Sequence, residues 1–185
     1  MFRRITFPNK LRCFEAGFSM EFQPGLNALV GDQGCGKSTL LDALCGIHPA
    51  EVEKDPDTRL KHFDFERYNP RLSTAFGDTI DLGVQLQVLH VSHGQSVVLM
   101  LADLCKRNVT KPHTFIFDEP DTGLSIRSCR VLGNFLQMAV VAGHQIIASV
   151  HNPIVIWSLG EVYSLEQRKL MTAKDFVDSQ LAPSA

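Results

Sequence analysis

Several features that would place the chain in a special class of protein are missing from its sequence. The five cysteines form no C-x-x-C pair, which argues against a zinc site or a disulfide framework. No apolar run approaches the roughly 18 residues that a membrane span needs, and the start Met1–Arg4 lacks the apolar core of a signal peptide. The net charge of −2 provides no general attraction to nucleic acid or to an anionic membrane. We therefore expect a reduced, cytoplasmic protein without membrane insertion.

The length of the chain predicts one domain. With 185 residues it can bury a core without cross-links, and its sequence shows no internal repeat, heptad stretch or low-complexity segment. We expect a single domain over residues 1–179 and a flexible tail over residues 180–185.

Patterns of apolar residues divide this domain into strands and helices. Strands are predicted over residues 2–7, 18–22, 25–30, 61–66, 114–117, 145–150 and 162–165. Helices are predicted over residues 40–45, 97–105 and 126–142, and a surface loop or short helix over residues 47–60. Strands that alternate with helices indicate an α/β fold, with a mostly parallel sheet flanked by helices. The first two strands predict a small N-terminal antiparallel part.

The stretch from Gly31 to Thr39 matches the pattern G-x-x-x-x-G-K-[ST] at every fixed position, between a predicted strand and a predicted helix. Glycines let backbone N–H groups curl around phosphate oxygens, and the helix N-terminus adds partial positive charge. Lys37 adds a full charge near the β- and γ-phosphates, and Ser38 offers its hydroxyl to Mg²⁺. The residues predicted to bind the nucleotide here are Gly31, Asp32, Gln33, Gly34, Cys35, Gly36, Lys37, Ser38 and Thr39.

An acidic pair follows the predicted strand 114–117, where Asp118 and Glu119 precede a proline. At the carboxyl end of a buried strand, Asp118 can reach a Mg²⁺ ion that Ser38 also faces. Glu119 can hold the attacking water, either as a general base or as a group that polarises it. Together with the phosphate-binding loop, this pair predicts hydrolysis of a nucleotide that is bound with Mg²⁺.

Two further segments resemble the ABC-type ATPases. Residues 91–96 (VSHGQS) open a predicted helix and resemble the family signature LSGGQ, and His151 follows the next buried strand after the acidic pair. The resemblance implies that His151 is the switch that hydrogen-bonds the γ-phosphate and the attacking water. The signature residues that it places against the ATP of an opposite subunit are Ser92, His93, Gly94 and Gln95, with His93 in place of the usual glycine.

Because the family signature acts in trans, the resemblance implies a head-to-tail homodimer that encloses two ATP molecules. The expected catalytic residues are Lys37, Glu119 and His151. The family also has a metal-contacting residue between the loop and the signature. Glu66 is the first choice for it, so the expected metal ligands are Ser38, Asp118 and Glu66, with Gln85 and Gln87 as alternatives to Glu66.

Spacing favours a compact branch of this family. Only about 55 residues separate Lys37 from Ser92, fewer than the helical subdomain of transporter ATPases or the coiled coils of SMC proteins need. Residues 118–125 (DEPDTGLS) look more like compact bacterial or phage ATPases related to RecF and SMC head domains. We therefore expect a role in DNA repair, recombination or phage–host conflict, with DNA or a DNA-processing protein as partner. The alternatives are a transporter subunit, an ATP-gated interaction module with little hydrolysis, and a nucleotide kinase.

Some other residues allow two interpretations. Cys35 lies near a helix N-terminus, which could lower its pKa and permit a redox switch, but a small filler residue is favoured. Phe14 is expected in the core, with stacking on adenine as the alternative, and Trp157 is expected in the core. A basic cluster could contact DNA phosphates but is favoured as a solvated face; it comprises Arg3, Arg4, Lys10 and Arg12.

Overall fold

Two sheets and the helices around them make up the fold. The structure, a computed structural model, describes residues 1–65, 95–97, 99–100, 103 and 112–181. The strands are β1 (Phe2–Phe7), β2 (Phe18–Glu21), β3 (Leu26–Val30), β4 (Glu51–Lys54), β5 (Leu60–Asp64), β6 (Thr114–Asp118), β7 (Gln145–Ser149), β8 (Glu161–Ser164) and β9 (Lys169–Thr172). The helices are α1 (Lys37–Leu44), α2 (Ile126–Val141), α3 (Pro153–Trp157) and α4 (Ala173–Leu181), and residues 95–97, 99–100 and 103 are also helical.

Within the described ranges, the larger sheet has six strands in the order β5-β6-β7-β3-β8-β9. Its first five strands run parallel, and β9 pairs antiparallel with β8. The smaller sheet has three antiparallel strands in the order β2-β1-β4. This arrangement confirms the predicted α/β fold, with a mostly parallel sheet flanked by helices and a small antiparallel part.

Both faces of the larger sheet are buried. Successive side chains of a strand point to opposite faces, so Phe115 and Phe117 of β6 lie in one apolar cluster and Ile116 lies in another. The first cluster is closed by α2, α3 and α4, whereas the second is closed by α1 and the smaller sheet. Burial on both faces explains why the central strands are nearly continuous apolar runs in the sequence.

Residues 47–60 differ from the expected surface loop or short helix. They contain β4, which pairs antiparallel with β1 and places Val52 opposite Ile5. Val52 is half-buried and the other side chains of β4 are exposed, so the strand shows little periodicity of its own. Pairing with β1 therefore specifies this strand more than its local sequence does.

The C-terminal region contains three elements that the sequence did not predict, namely α3, β9 and α4. Helix α4 continues to Leu181, two residues into the expected tail, and residues 182–185 lie outside the described part. Trp157 is 54% exposed, contrary to its expected core position, because the short helix α3 buries Val155 and Ile156 instead. Among the described residues, no helix combines the length and the hydrophobicity that a bilayer span requires.

Candidate nucleotide site

The loop between β3 and α1 depends on glycine at its last position. Gly36 has a φ of 105°, in the left-handed region, and is the N-cap residue of α1. A Cβ at this position would lie 2.4 Å from Cys13 Sγ and 2.8 Å from the Phe14 ring. The segment that contains Cys13 and Phe14 therefore packs directly on the loop backbone and leaves no room for a side chain at Gly36. The first turn of α1 keeps backbone N–H groups without intrahelical partners at this loop, where an anion can accept from them.

The structure favours core packing for Phe14 over stacking on adenine, and a filler residue at Cys35 over a redox switch. Phe14 is 3% exposed and stacks on Phe7 with ring centroids 4.6 Å apart, so it belongs to the core. Burial raises the pKa of the Cys35 thiol, and the nearby Lys37 only partly opposes this. The thiolate needed for redox chemistry is therefore disfavoured.

Lys37 folds back over the loop from the first turn of α1. Its ammonium donates to the Gly31 carbonyl at 2.7 Å and to the Asp32 carbonyl at 2.9 Å, and it lies 3.6 Å from Cys35 Sγ. An ammonium has three donors, so two carbonyls hold it in place while the third meets only a weak sulfur acceptor. A phosphate oxygen would be a stronger partner for that third donor.

Ser38 and Asp118 meet at the carboxyl end of the sheet. The Ser38 hydroxyl lies beside the Asp118 carboxylate, whose Oδ1 accepts from the Ser149 hydroxyl at 2.6 Å. Burial raises the pKa of Asp118, the polar contacts with Ser149 and Ser38 oppose the rise, and the charge of the neighbouring Asp64 adds to it. A hydroxyl and a buried carboxylate are oxygen ligands of the kind that Mg²⁺ prefers, so Ser38 and Asp118 fit this ion.

Glu119 has a strained backbone that side chains hold in place. Its φ of 51° is unusual for a residue other than glycine. Its backbone N–H donates to Ser149 Oγ at 2.8 Å, and its Oε1 lies 2.7 Å from His151 Nε2. The Thr122 hydroxyl donates to the second carboxylate oxygen at 3.2 Å. These contacts hold the Glu119 carboxylate against His151, so the candidate base and the candidate switch residue are in direct contact.

Asp121 positions the segment that carries His151, a role that the sequence analysis missed. Its Oδ2 accepts from the backbone N–H groups of His151 at 2.8 Å and Asn152 at 2.6 Å. Burial raises the pKa of Asp121, and these two backbone donors oppose the rise. Asn152 in turn caps α3 by accepting from the Ile154 N–H. The only local signal was a third acid two residues after Glu119, which does not reveal a partner 30 residues away.

The site has two halves, the phosphate-binding loop with the start of α1 and the segments that follow β6 and β7. Predicted residues of both halves line one cavity of about 450 Å³, although Gly31, Asp32, Cys35 and Asp118 are not among its lining residues. Arg12, which was expected on a solvated face, also borders it and donates to Thr39 Oγ1 at 3.1 Å. The cavity is lined by Arg12, Cys13, Gln33, Gly34, Gly36, Lys37, Ser38, Thr39, Glu119 and His151. Two cations and the loop backbone therefore face a carboxylate and an imidazole across a space that can hold a polyphosphate.

Several predicted residues cannot be placed in this site. Glu66, its alternatives Gln85 and Gln87, and the signature residues Ser92, His93 and Gly94 lie outside the described residues. Gln95 is described and is exposed in a helical segment. The assignments to a metal and to an opposite subunit therefore stay predictions.

The other members of the basic cluster are paired with acids. Arg3 lies 3.0 Å from Asp55 and Lys10 lies 2.9 Å from Glu15. Arg4 contacts two glutamates, at 2.6 and 3.4 Å. This pairing supports the interpretation of these three residues as a solvated face.

Comparisons with known proteins bear on the family and on the fold. A family model described as AAA domain matches residues 9–112, more than half of the chain. No curated protein matches the sequence.

Solved structures share the fold. An ATP-binding cassette of an ABC transporter in its ADP conformation is 12% identical, with a TM-score of 0.63, over 96% of this chain and 95% of that chain. The protein cbiO1 from Clostridium perfringens, part of the ABC transporter complex cbiONQ, is 18% identical, with a TM-score of 0.59, over 89% and 84%. A metal-chelate type ABC transporter in an inward-facing conformation is 17% identical, with a TM-score of 0.58, over 86% and 76%. At these identities the likeness shows the fold alone.

Proposed function

We propose, from the premise that the chain belongs to the AAA domain family and has the fold of ABC ATPases, that it binds ATP with Mg²⁺ and hydrolyses it. The observation that carries this proposal is the shared cavity, where Lys37 faces Glu119 and His151 beside the Ser38–Asp118 pair. A phosphate-binding loop alone would be compatible with many nucleotide-binding proteins. A base and a switch residue at the same cavity favour hydrolysis.

Each residue has a distinct role in this proposal. Lys37 and the loop N–H groups bind the phosphates. Ser38 and Asp118 would hold Mg²⁺, which would neutralise phosphate charge. Glu119 accepts a proton from the attacking water. His151 Nε2 lies 2.7 Å from Glu119 Oε1, so the imidazole orients this base, and the same N–H would turn to the γ-phosphate when ATP is bound.

The catalytic unit in this proposal is a head-to-tail homodimer. The support is the resemblance of residues 91–96 to a signature that acts on the ATP of an opposite subunit. Ser92, His93, Gly94 and Gln95 would complete the partner's site, and Glu66 would approach its own metal. ATP would close the dimer and hydrolysis would open it.

Glu119→Gln tests base and dimer together. We expect turnover to fall by about 10²–10⁴-fold because the amide cannot accept the proton, while ATP binding persists. The variant should form an ATP-dependent dimer, measured by size exclusion with light scattering in Mg-ATP.

The matched control is Glu161→Gln, which neutralises an exposed glutamate of β8. It should hydrolyse ATP at the wild-type rate. Unchanged turnover of Glu119→Gln would refute the base assignment. A strictly monomeric Glu119→Gln protein at saturating Mg-ATP would refute the dimer.

As the biological task we propose a DNA-linked role in the cytoplasm, in repair, recombination or phage–host conflict. Its support is the resemblance of residues 118–125 to compact ATPases related to RecF and SMC proteins. The rival task is the ATP-hydrolysing subunit of a transporter, which the fold shared with ABC transporter cassettes favours. Stimulation of ATPase activity by DNA ends would favour the first task, and co-purification with a membrane protein the second. Tight ATP binding with negligible turnover would instead indicate an ATP-gated interaction module.

A further inference from the structure

Glu166 contacts the phosphate-binding loop from a distant part of the chain. It lies in the turn between β8 and β9, and its Oε1 accepts the Asp32 N–H at 2.9 Å. Its side-chain carbons lie 3.6 Å from the position that a Cβ of Gly31 would occupy. Sequence motifs gave no signal for this contact, which joins residues 134 positions apart.

The sheet fixes the position of this turn. Strand β8 pairs with β3 directly before the loop, and the Leu165 N–H donates to the Val30 carbonyl at 3.1 Å. Leu165 is 5% exposed, so it anchors the turn in the core. Glu166 is therefore presented to the loop by a rigid neighbour even though its own side chain is exposed.

The contact reaches Lys37 through a single peptide unit. The Asp32 N–H that Glu166 accepts and the Gly31 carbonyl that Lys37 contacts belong to the same planar group. A carboxylate at the N–H end and an ammonium at the C=O end polarise this group in the same direction, so each hydrogen bond strengthens the other. This peptide rotates about the ψ bond of Gly31, which has no Cβ to restrict it, so without these bonds its orientation would be less fixed.

We propose that Glu166 is a positioning residue for Lys37. Its carboxylate fixes the peptide between Gly31 and Asp32, and the oriented Gly31 carbonyl holds the ammonium where its third donor can meet a phosphate. The expected effect on ATP binding rests on the proposed function, whereas the expected effect on the position of Lys37 does not.

The first experiment measures the hold on Lys37 without nucleotide. Wild type and Glu166→Ala are acetylated with limiting acetic anhydride, and mass spectrometry compares the rate at Lys37 with that at the exposed Lys10. We expect Glu166→Ala to raise the relative rate at Lys37 several-fold. Glu166→Gln should lie between the two, because its amide oxygen can still accept the Asp32 N–H without the charge. The control Glu161→Gln should match wild type.

The second experiment measures ATP binding in a double-mutant cycle. Glu166→Ala should weaken ATP binding by about 3- to 10-fold. This is less than the full effect of a charged hydrogen bond, because solvent screens the exposed carboxylate. In a Lys37→Gln background the same change should have no further effect, because Glu166 acts through the lysine. A merely structural role of the turn would instead weaken binding equally in both backgrounds.

The outcomes separate this inference from the proposed function. Unchanged labelling of Lys37 in Glu166→Ala would overturn the inference, and so would an equal effect in both backgrounds. If wild type fails to bind ATP but Glu166→Ala still exposes Lys37, the proposed function fails and the positioning role stands.

Discussion

In the phosphate-binding loop Lys37 is held by backbone carbonyls, whereas at the ends of β6 and β7 the side chains of Ser149 and Asp121 hold neighbouring segments of the chain. Residues 31–39 use glycine conformations and main-chain carbonyls, with Lys37 resting on two of them. At the ends of β6 and β7, the Ser149 hydroxyl donates to Asp118 and accepts from the Glu119 N–H. The first half is a continuous segment, and the second is assembled from separate strands.

This difference explains why the two halves were not equally visible in the sequence. A loop built by the backbone needs particular residue types at fixed spacings, so it leaves a motif. A network of side chains needs only partners that tertiary structure brings together, so Ser149 carried no signal and Asp121 only the weak one of a third acid near Glu119. The two halves should also respond differently to mutation.

The largest effect on stability is expected at Gly36 in the backbone-built half. Gly36→Ala adds a Cβ that would lie 2.4 Å from Cys13 Sγ, at a φ of 105°. We expect a loss of about 2–4 kcal/mol in the free energy of unfolding, from strain and overpacking together. Urea denaturation measures this loss.

Gly34→Ala is the matched control within the same loop. Its φ is 81°, but a Cβ there would meet nothing within 4 Å. It should therefore lose only the conformational part, about 1–2 kcal/mol. Equal losses in the two variants would show that the packing of Cys13 and Phe14 on the loop contributes nothing.

A smaller effect is expected from Ser149→Ala in the half built by side chains. The change removes the acceptor for the Glu119 N–H and a donor to Asp118, at a position that is fully buried. We expect a loss of about 1–3 kcal/mol, measured by urea denaturation, because a part-buried N–H is left without its partner.

Ser19→Ala removes an exposed hydroxyl of β2 that bonds Thr6 Oγ1 at 3.0 Å and the Ile5 carbonyl at 3.2 Å. It should lose only about 0.5–1 kcal/mol, because water can replace these bonds at an exposed site. A loss in Ser149→Ala no greater than in this control would mean that the bridge does not hold the two acids. It would also remove the contrast between the two halves.

The smallest effect is a pH dependence that arises outside both halves. Burial lowers the pKa of His144, with a further contribution from His113, whose backbone N–H donates to His144 Nδ1 at 3.1 Å. Protonation therefore favours the unfolded state: this stability is present above the ordinary pKa of 6.5 and is lost as the pH falls through the lower folded value. Thermal unfolding should show Tm falling as pH drops from about 7 to about 5.5, and less steeply in His144→Asn. An identical slope in both proteins would assign the dependence to other groups.

Most of the central sheet was predictable because its strands are buried on both faces. The apolar runs that form β3, β6 and β7 were identified within about a residue of their observed bounds. The edge strand β4 and the short helix α3 were not identified, since they bury few side chains and depend on neighbours for their conformation. Trp157 was misplaced for the same reason, because the packing of α3 decides which of its faces is buried.

The sequence by itself determined the α/β architecture, the phosphate-binding loop and the acids that end β6. These features depend on local spacing and on burial, which a chain encodes continuously. Only the tertiary structure decided that Glu166 reaches Asp32, that Asp121 carries the His151 backbone, and that Arg12 borders the cavity. Such contacts depend on which strands become neighbours, and strand order is a property of the whole chain.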